Sequence, residues 1–195
     1  MIAGHFGFAA LVKSRERQAP LWALMFATVW LDIVFVPLFL AGVETIEPVA
    51  GARGTYGTGI IHAEYTHSLI GAGLLSALFG VAAAVRWGQR TGVVVGLVAF
   101  SHWVLDLVVH RADMPLLPAN VGGLQRFGFG LWRFPVASVT AEFALVVIGA
   151  WTYWQAAREV TLAAGYGQRR GAAVAMLILI GGTLLLALDF TGVGS

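Results

Sequence analysis

The chain has 195 residues, of which 58% are hydrophobic and 11% charged, with a mean hydropathy of +0.81. A soluble domain carries roughly 25% charged residues, so the expectation is one all-α, multi-pass membrane domain over 1–195, without a soluble appendage. The formal charge of +2 is small and spread among loops, which argues against nucleic acid as a partner. Cysteine is absent, which excludes disulfides, thiolate metal sites and Cys nucleophiles.

Residues 2–12 form a short apolar segment containing His5. Eleven residues at about 1.5 Å each cannot cross a hydrocarbon core of about 30 Å, so this is a half-spanning or interfacial helix. It has no basic n-region or cleavage site of a signal peptide and is expected to be retained. Five candidate spans follow, at about 20–42, 59–85, 91–112, 134–156 and 172–190. Asp32 lies at the middle of the first. His62, Glu64 and His67 lie in the first third of the second. His102, Asp106 and His110 lie on the third, Glu142 two turns into the fourth, and Asp189 near the end of the last.

Two loops on the same side separate these spans. Residues 43–58 are Gly- and Thr-rich, as expected of a turn region rather than a helix. Residues 113–133 carry Pro, Gly and large aromatics, and a loop this long in a small protein reads as a lid. Its Phe127, Phe129, Leu131 and Trp132 can cover a site at the interface. No strand is predicted. The small residues Gly71, Gly73, Ser76, Ala77 and Gly80 read as close helix packing, and most tryptophans as an interfacial belt.

Orientation follows from the loop charges. Lys13, Arg15, Arg17, Arg86, Arg90, Arg158, Arg169 and Arg170 fall on one side; Arg53, Arg111, Arg126 and Arg133 fall on the other. The eight-charge side is expected to be cytoplasmic. With that topology, all five histidines and most intramembrane carboxylates collect in the centre and outer half of the bundle. Buried charges pair or bind metal, and His with carboxylate is the ligand set of a hydrolytic metal site.

Spacing limits which residues share one ion. Four residues of helix turn by about 400° and rise about 6 Å, so His102 with Asp106, or Asp106 with His110, can converge. His102 and His110 are about 12 Å apart on a straight helix and cannot both grip one metal. The remaining histidine is then a base, an outer residue or the ligand of a second ion. His62 and His67, at a spacing of five, converge only if the helix begins near residue 64, whereas Glu64 and His67 share a helical face.

The stretches H-A-E-Y-T-H-S-L (62–69) and S-H-W-V-L-D (101–106) resemble the bacterial membrane-bound metal-dependent hydrolases. Their signature is His-Arg-x-x-Thr-His-Ser followed by Ser-His-x-x-x-Asp in a later span. The resemblance implies His62, His67, His102 and Asp106 as metal ligands; His5, placed at the same depth by its position in the N-terminal segment, is a further candidate ligand or supporting residue. The resemblance also implies a multi-pass protein of the bacterial inner (cytoplasmic) membrane. One departure is Ala63, which stands where the family has Arg.

The reading that follows is a divalent metal, such as zinc, serving hydrolysis of a lipid-like phosphoester or ester at the outer leaflet. Glu64, His110 or Glu142 would act as general acid or base, and His110 would be the outward residue meeting substrate or solvent. Membrane lipids are the expected partners. The alternative is an accessory subunit of a membrane complex, bound to other membrane protein subunits and carrying a structural or vestigial metal site. Haem or pigment ligation ranks lower because of the clustered carboxylates, and a proton path lower still because the basic half of the bundle lacks ionisable residues.

Overall fold

The computed structural model describes residues 1–49, 57–165 and 167–191. It is an all-α integral membrane bundle with one small hairpin. Helix α1 (Ile2–Arg15) is followed by α2 (Leu21–Thr28) and α3 (Trp30–Leu40), then strands β1 (Thr45–Pro48) and β2 (Gly59–His62). Helices α4 (Leu69–Trp87), α5 (Gln89–Val109), α6 (Pro135–Ala163) and α7 (Arg169–Thr191) complete the chain. The last four are each long and apolar enough to cross a membrane, and α2 with α3, bent by 45° at their break, is long and apolar enough only as a pair.

Helix α1 is the central element despite its length. At 14 residues it rises about 21 Å, short of a crossing. Its side chains Ala3, His5, Ala9 and Ala10 are fully buried, so it is a half-spanning helix inside the bundle, not an interfacial one. Small residues let it in. A Cβ on Gly149 of α6 would lie 2.0 Å from the Gly7 carbonyl oxygen, and one on Gly7 would meet the Leu145 backbone at 2.5 Å. Backbone approach this close is how helices associate in lipid, where burying apolar area against lipid tails gains nothing.

The α4–α5 hairpin is built the same way. Gly80 and Gly92 face each other so closely that a Cβ on Gly92 would sit 2.6 Å from the Gly80 oxygen. Gly88 makes the turn between them at φ +88, a conformation that other residues resist.

The region before α4 departs from the sequence expectation. Residues 59–62 are a strand, pairing antiparallel with 45–48 in the register Thr45↔His62 and Ile46↔Ile61. Consecutive Ile60 and Ile61 after a glycine suit a pleated ribbon as well as a helix, and pairing with Thr45 and Ile46 decides between them. Helix α4 therefore starts ten residues later than 59, where the Ser68 hydroxyl accepts the Gly71 N–H at 3.0 Å as an N-cap. The other spans differ less, though α6 runs seven residues beyond 156. The first part of the 43–58 loop is β1, and its residues 50–56 lie outside the described residues.

The loops carrying most of the positive charge meet at one end. Glu16 pairs with Arg90 at 3.1 Å, and Arg17 lies 3.7 Å from Glu159. The 113–133 segment packs over the other end. The carbonyls of Pro115 and Leu116 accept the Leu69 and Ile70 N–H groups, satisfying donors that a helix start leaves open. Met114 bridges Phe127, and Phe129 and Gly130 donate to the carbonyls of Leu107 and His110. Trp132 is buried, while Phe129 faces out.

Gly149→Ala is expected to lower the thermal stability of the detergent-solubilised protein by about 1–3 kcal/mol, because α1 must move off α6. Gly181→Ala on α7, where a Cβ meets nothing within 4 Å, is expected to be neutral or slightly stabilising. Equal melting points for the two variants would contradict the α1 packing described here.

Candidate metal centre

Five elements deliver polar side chains to one point in the bundle. The break between α2 and α3 at Val29 leaves Thr28 as the last residue of α2, with a carbonyl that needs a partner outside the helix. The His102 Nδ1–H on α5 donates to it at 2.6 Å. A carbonyl only accepts, so the proton is on Nδ1 and the Nε2 of a neutral His102 carries a bare lone pair. That Nε2 lies 3.0 Å from Asp106 Oδ2, 3.1 Å from His67 Nε2 and 3.4 Å from Asp32 Oδ1.

His67, just ahead of α4, is oriented by a longer chain of bonds. Buried Glu44 accepts the backbone N–H groups of Tyr65 and Thr66 at 2.8 and 2.9 Å, and the Thr66 hydroxyl at 2.9 Å. The hydroxyl has one proton, and Glu44 takes it. Thr66 Oγ1 must then accept the His67 Nδ1–H at 2.8 Å, which leaves His67 Nε2 bare as well. A histidine whose outer nitrogen is held through hydroxyl and carboxylate is the usual support of a metal ligand.

On neutral rings two bare Nε2 atoms thus face two carboxylates, with His67, His102 and Asp106 buried and Asp32 partly exposed at the edge. His67 Nε2 is 3.5 Å from Asp32 Oδ1 and 3.8 Å from Asp106 Oδ2, which completes the set. Lone pairs facing each other at such distances repel, and burial raises the cost. A single added proton relieves one pair. A divalent cation relieves all of them.

The spacing suits one. Asp32, His67 and His102 form a nearly equilateral triangle of ligand atoms with sides of 3.1, 3.4 and 3.5 Å. Tetrahedral ligands at 2.0–2.1 Å from zinc stand about 3.3 Å apart. Asp32, His67 and His102 would supply three ligands, the number protein side chains give in catalytic zinc sites, and Asp106 Oδ2 lies 3.0 Å from His102 Nε2.

The remaining candidates surround this group. His5 stacks on His102 with ring centroids 4.0 Å apart, and its Nε2 is 3.1 Å from Asp106 Oδ1. Its Nδ1 is buried with no hydrogen-bond partner among the described residues. A proton there would be unsatisfied, so the neutral ring carries it on Nε2 and donates to Asp106, orienting the carboxylate. Without that proton, His5, His102 and Asp106 form a second three-ligand group.

His110 converges on Asp106, as their spacing of four allows. It lies one residue past α5, with φ −58 and ψ 149, so it has left the helical path. Its Nε2 stands 3.6 Å from Asp106 Oδ2, and its Nδ1 is 3.0 Å from Asp113 Oδ1. Trp132 covers the ring at a centroid distance of 4.4 Å. The residue expected to face outward is therefore buried under the lid, at 3% exposure.

The other sequence candidates go elsewhere. His62 sits on β2 with its Nε2 3.5 Å from Glu47, outside the cluster, because residues 59–68 are not helical. Glu64 and His67 accordingly share no helical face, and Glu64 pairs with Arg126 of the lid at 2.5 Å. Glu142 is fully buried on α6 and accepts the Gly4 N–H at 3.2 Å, bonding to the first turn of α1, where the helix dipole is positive.

Sequence reasoning placed Asp32 at the right depth without counting it as a ligand. It missed Thr28, Glu44, Thr66 and Asp113 as supports. Asp113, three residues after His110, had a readable spacing, whereas Glu44 comes near His67 only through the β1–β2 ribbon.

Comparisons with protein-family models, with curated proteins and with solved structures gave no match to this chain.

Purified protein is expected to carry a divalent metal in stoichiometric amount, measured by elemental analysis, and Asp32→Ala or His102→Ala to lose it. Glu44→Gln or Thr66→Val should weaken affinity about 10–100-fold by loosening His67. His62→Ala should leave metal content unchanged. Affinity should fall on acidification, because protons compete for the same nitrogens and oxygens.

Proposed function

We propose that this protein is a membrane-embedded, metal-dependent hydrolase acting on a phosphoester or ester of a lipid-like molecule. The observation that carries the reading is the convergence of Asp32, His67 and His102 ligand atoms, with Asp106 Oδ2 3.0 Å from His102 Nε2. Nitrogen and oxygen ligands are the hardware of hydrolytic metal enzymes. A divalent metal held there supplies Lewis acidity and an activated water.

The chain's own residues supply the rest. His5 steadies Asp106 from one side. His110 has its Nδ1 beside Asp113 and its Nε2 beside Asp106, two acceptors that favour a protonated ring, the arrangement of a general acid that gives a proton to a leaving group. Trp132 and the 113–133 segment exclude bulk water above it, which strengthens every charge interaction below. Glu142 contributes by holding α1 at the depth that brings His5 into contact.

The motif resemblance to bacterial membrane-bound metal-dependent hydrolases supports the same reading. The positive-inside rule directs the site toward the outer leaflet of the bacterial inner membrane. At Ala63, the family's Arg is missing. Arg126 and Arg111 stand at the same end of the bundle, bonded to Glu64 and to the Gly57 carbonyl, and offer cationic groups for an anionic substrate.

The test is a hydrolysis assay in mixed micelles with zinc- or manganese-loaded protein, using phosphatidic acid and a carboxylic-ester lipid as substrates. Turnover is expected on one of the two, lost at least about 100-fold in His102→Ala and in Asp106→Asn. His110→Ala should lower the rate without emptying the metal site. Equal rates for wild type and His102→Ala on both substrates would overturn the reading.

A further inference from the structure

The end of the bundle opposite the metal centre carries a second built feature. Between α1, α6 and α7 lies a cavity of about 360 Å³, lined by Lys13, Arg17 and Arg170 together with Tyr153 and Thr161. The Lys13 ammonium gives two of its three N–H groups to the carbonyls of Arg17 and Ala19, both at 2.8 Å. That fixes the charge in place and leaves one donor for another acceptor. Arg17 stands 3.7 Å from Glu159 between two largely exposed side chains, a contact weak enough for a phosphate to displace. Arg170 and Gly171 belong to the first turn of α7, whose dipole adds to the positive field.

Val174 lines this cavity and also a larger apolar cleft of about 690 Å³ between α2 and α7, floored by α1. Phe6, Trp22 and Phe26 form one wall of the cleft, and Leu177, Gly181 and Leu185 the other. From Val174 to Leu185 the cleft follows α7 for about 16 Å, close to half of a hydrocarbon core of about 30 Å. A cationic pocket that shares Val174 with an apolar cleft as long as one leaflet is thick matches an anionic amphiphile.

We infer that this pocket and cleft together bind one anionic phospholipid from the leaflet at the basic end of the bundle. The phosphate sits among Lys13, Arg17 and Arg170, and one acyl chain lies between α2 and α7. The site is separate from the metal centre, since Lys13 and His5 stand about 12 Å apart along α1. The two nonetheless share a helix. A lipid that braces the far end of α1 also braces His5, so occupancy should raise the stability of the whole bundle.

Native mass spectrometry and thermal unfolding of the metal-loaded protein in detergent test this, with phosphatidylglycerol, phosphatidylcholine or inorganic phosphate added at equal concentration. One phosphatidylglycerol should be retained per chain and should raise the melting point, while phosphatidylcholine and phosphate leave it unchanged. Lys13→Gln with Arg170→Gln should weaken retention about 25-fold, each lost charge costing about fivefold. Gly181→Leu should abolish the shift by filling the cleft, where a Cβ meets open space and the fold is left intact. Metal content and lipid-free melting point serve as the folding control for each variant. Four results would overturn the proposal: an equal response to phosphatidylcholine, an equal response to phosphate alone, a dimer mass in place of lipid adducts, or retention unchanged in well-folded variants.

Discussion

The structure depends on one electrostatic constraint. The Nε2 atoms of His67 and His102 lie 3.1 Å apart, and each stands 3.0–3.8 Å from an oxygen of Asp32 and from an oxygen of Asp106. The Nδ1 protons are held from behind, by the Thr28 carbonyl and by the Thr66–Glu44 relay, so on neutral rings both Nε2 lone pairs face inward. Such a cluster is stable when a cation neutralises it, and expensive otherwise.

Much of the fold reads as a means of assembling that point. The break between α2 and α3 supplies both Asp32 and the carbonyl that holds His102. The glycines at 7 and 149 let α1 sink between its neighbours, which brings His5 onto His102. The β1–β2 ribbon carries Glu44 to His67 and holds residues 59–62 out of the helix, so that His67 enters the cluster from a turn. The 113–133 segment then caps α4 and lays Trp132 over His110. A bundle of apolar helices alone would need none of these irregularities.

The overall class and most spans were legible because twenty-residue apolar runs have few other meanings. The depth of the polar residues was legible too, since loop charges and rise per residue locate His67, His102 and Asp106 together. What was not legible depended on pairing across distance. Residues 59–62 read as helix because a short β-branched run has no periodicity of its own, and its partner lies across a Gly-rich loop. His62 entered the candidate set through the motif resemblance, and the ribbon pairing that sets it beside Glu47 has no local signal in the sequence. His110 was expected to face outward because the Trp132 that covers its ring lies far along the chain in an irregular segment. Asp32 was undervalued because one carboxylate in a span usually finds a structural partner, and nothing local distinguishes it from such a residue.

The most direct measurement is X-ray absorption at the metal edge of the purified protein, compared between wild type and Asp32→Ala. The account expects a stoichiometric metal with nitrogen and oxygen scatterers at about 2.0–2.1 Å, an imidazole signature from two histidines, and loss of the metal in the variant. Protein that folds and keeps His67 and His102 in contact while binding no metal would contradict it, as would a metal whose shell is unchanged without Asp32.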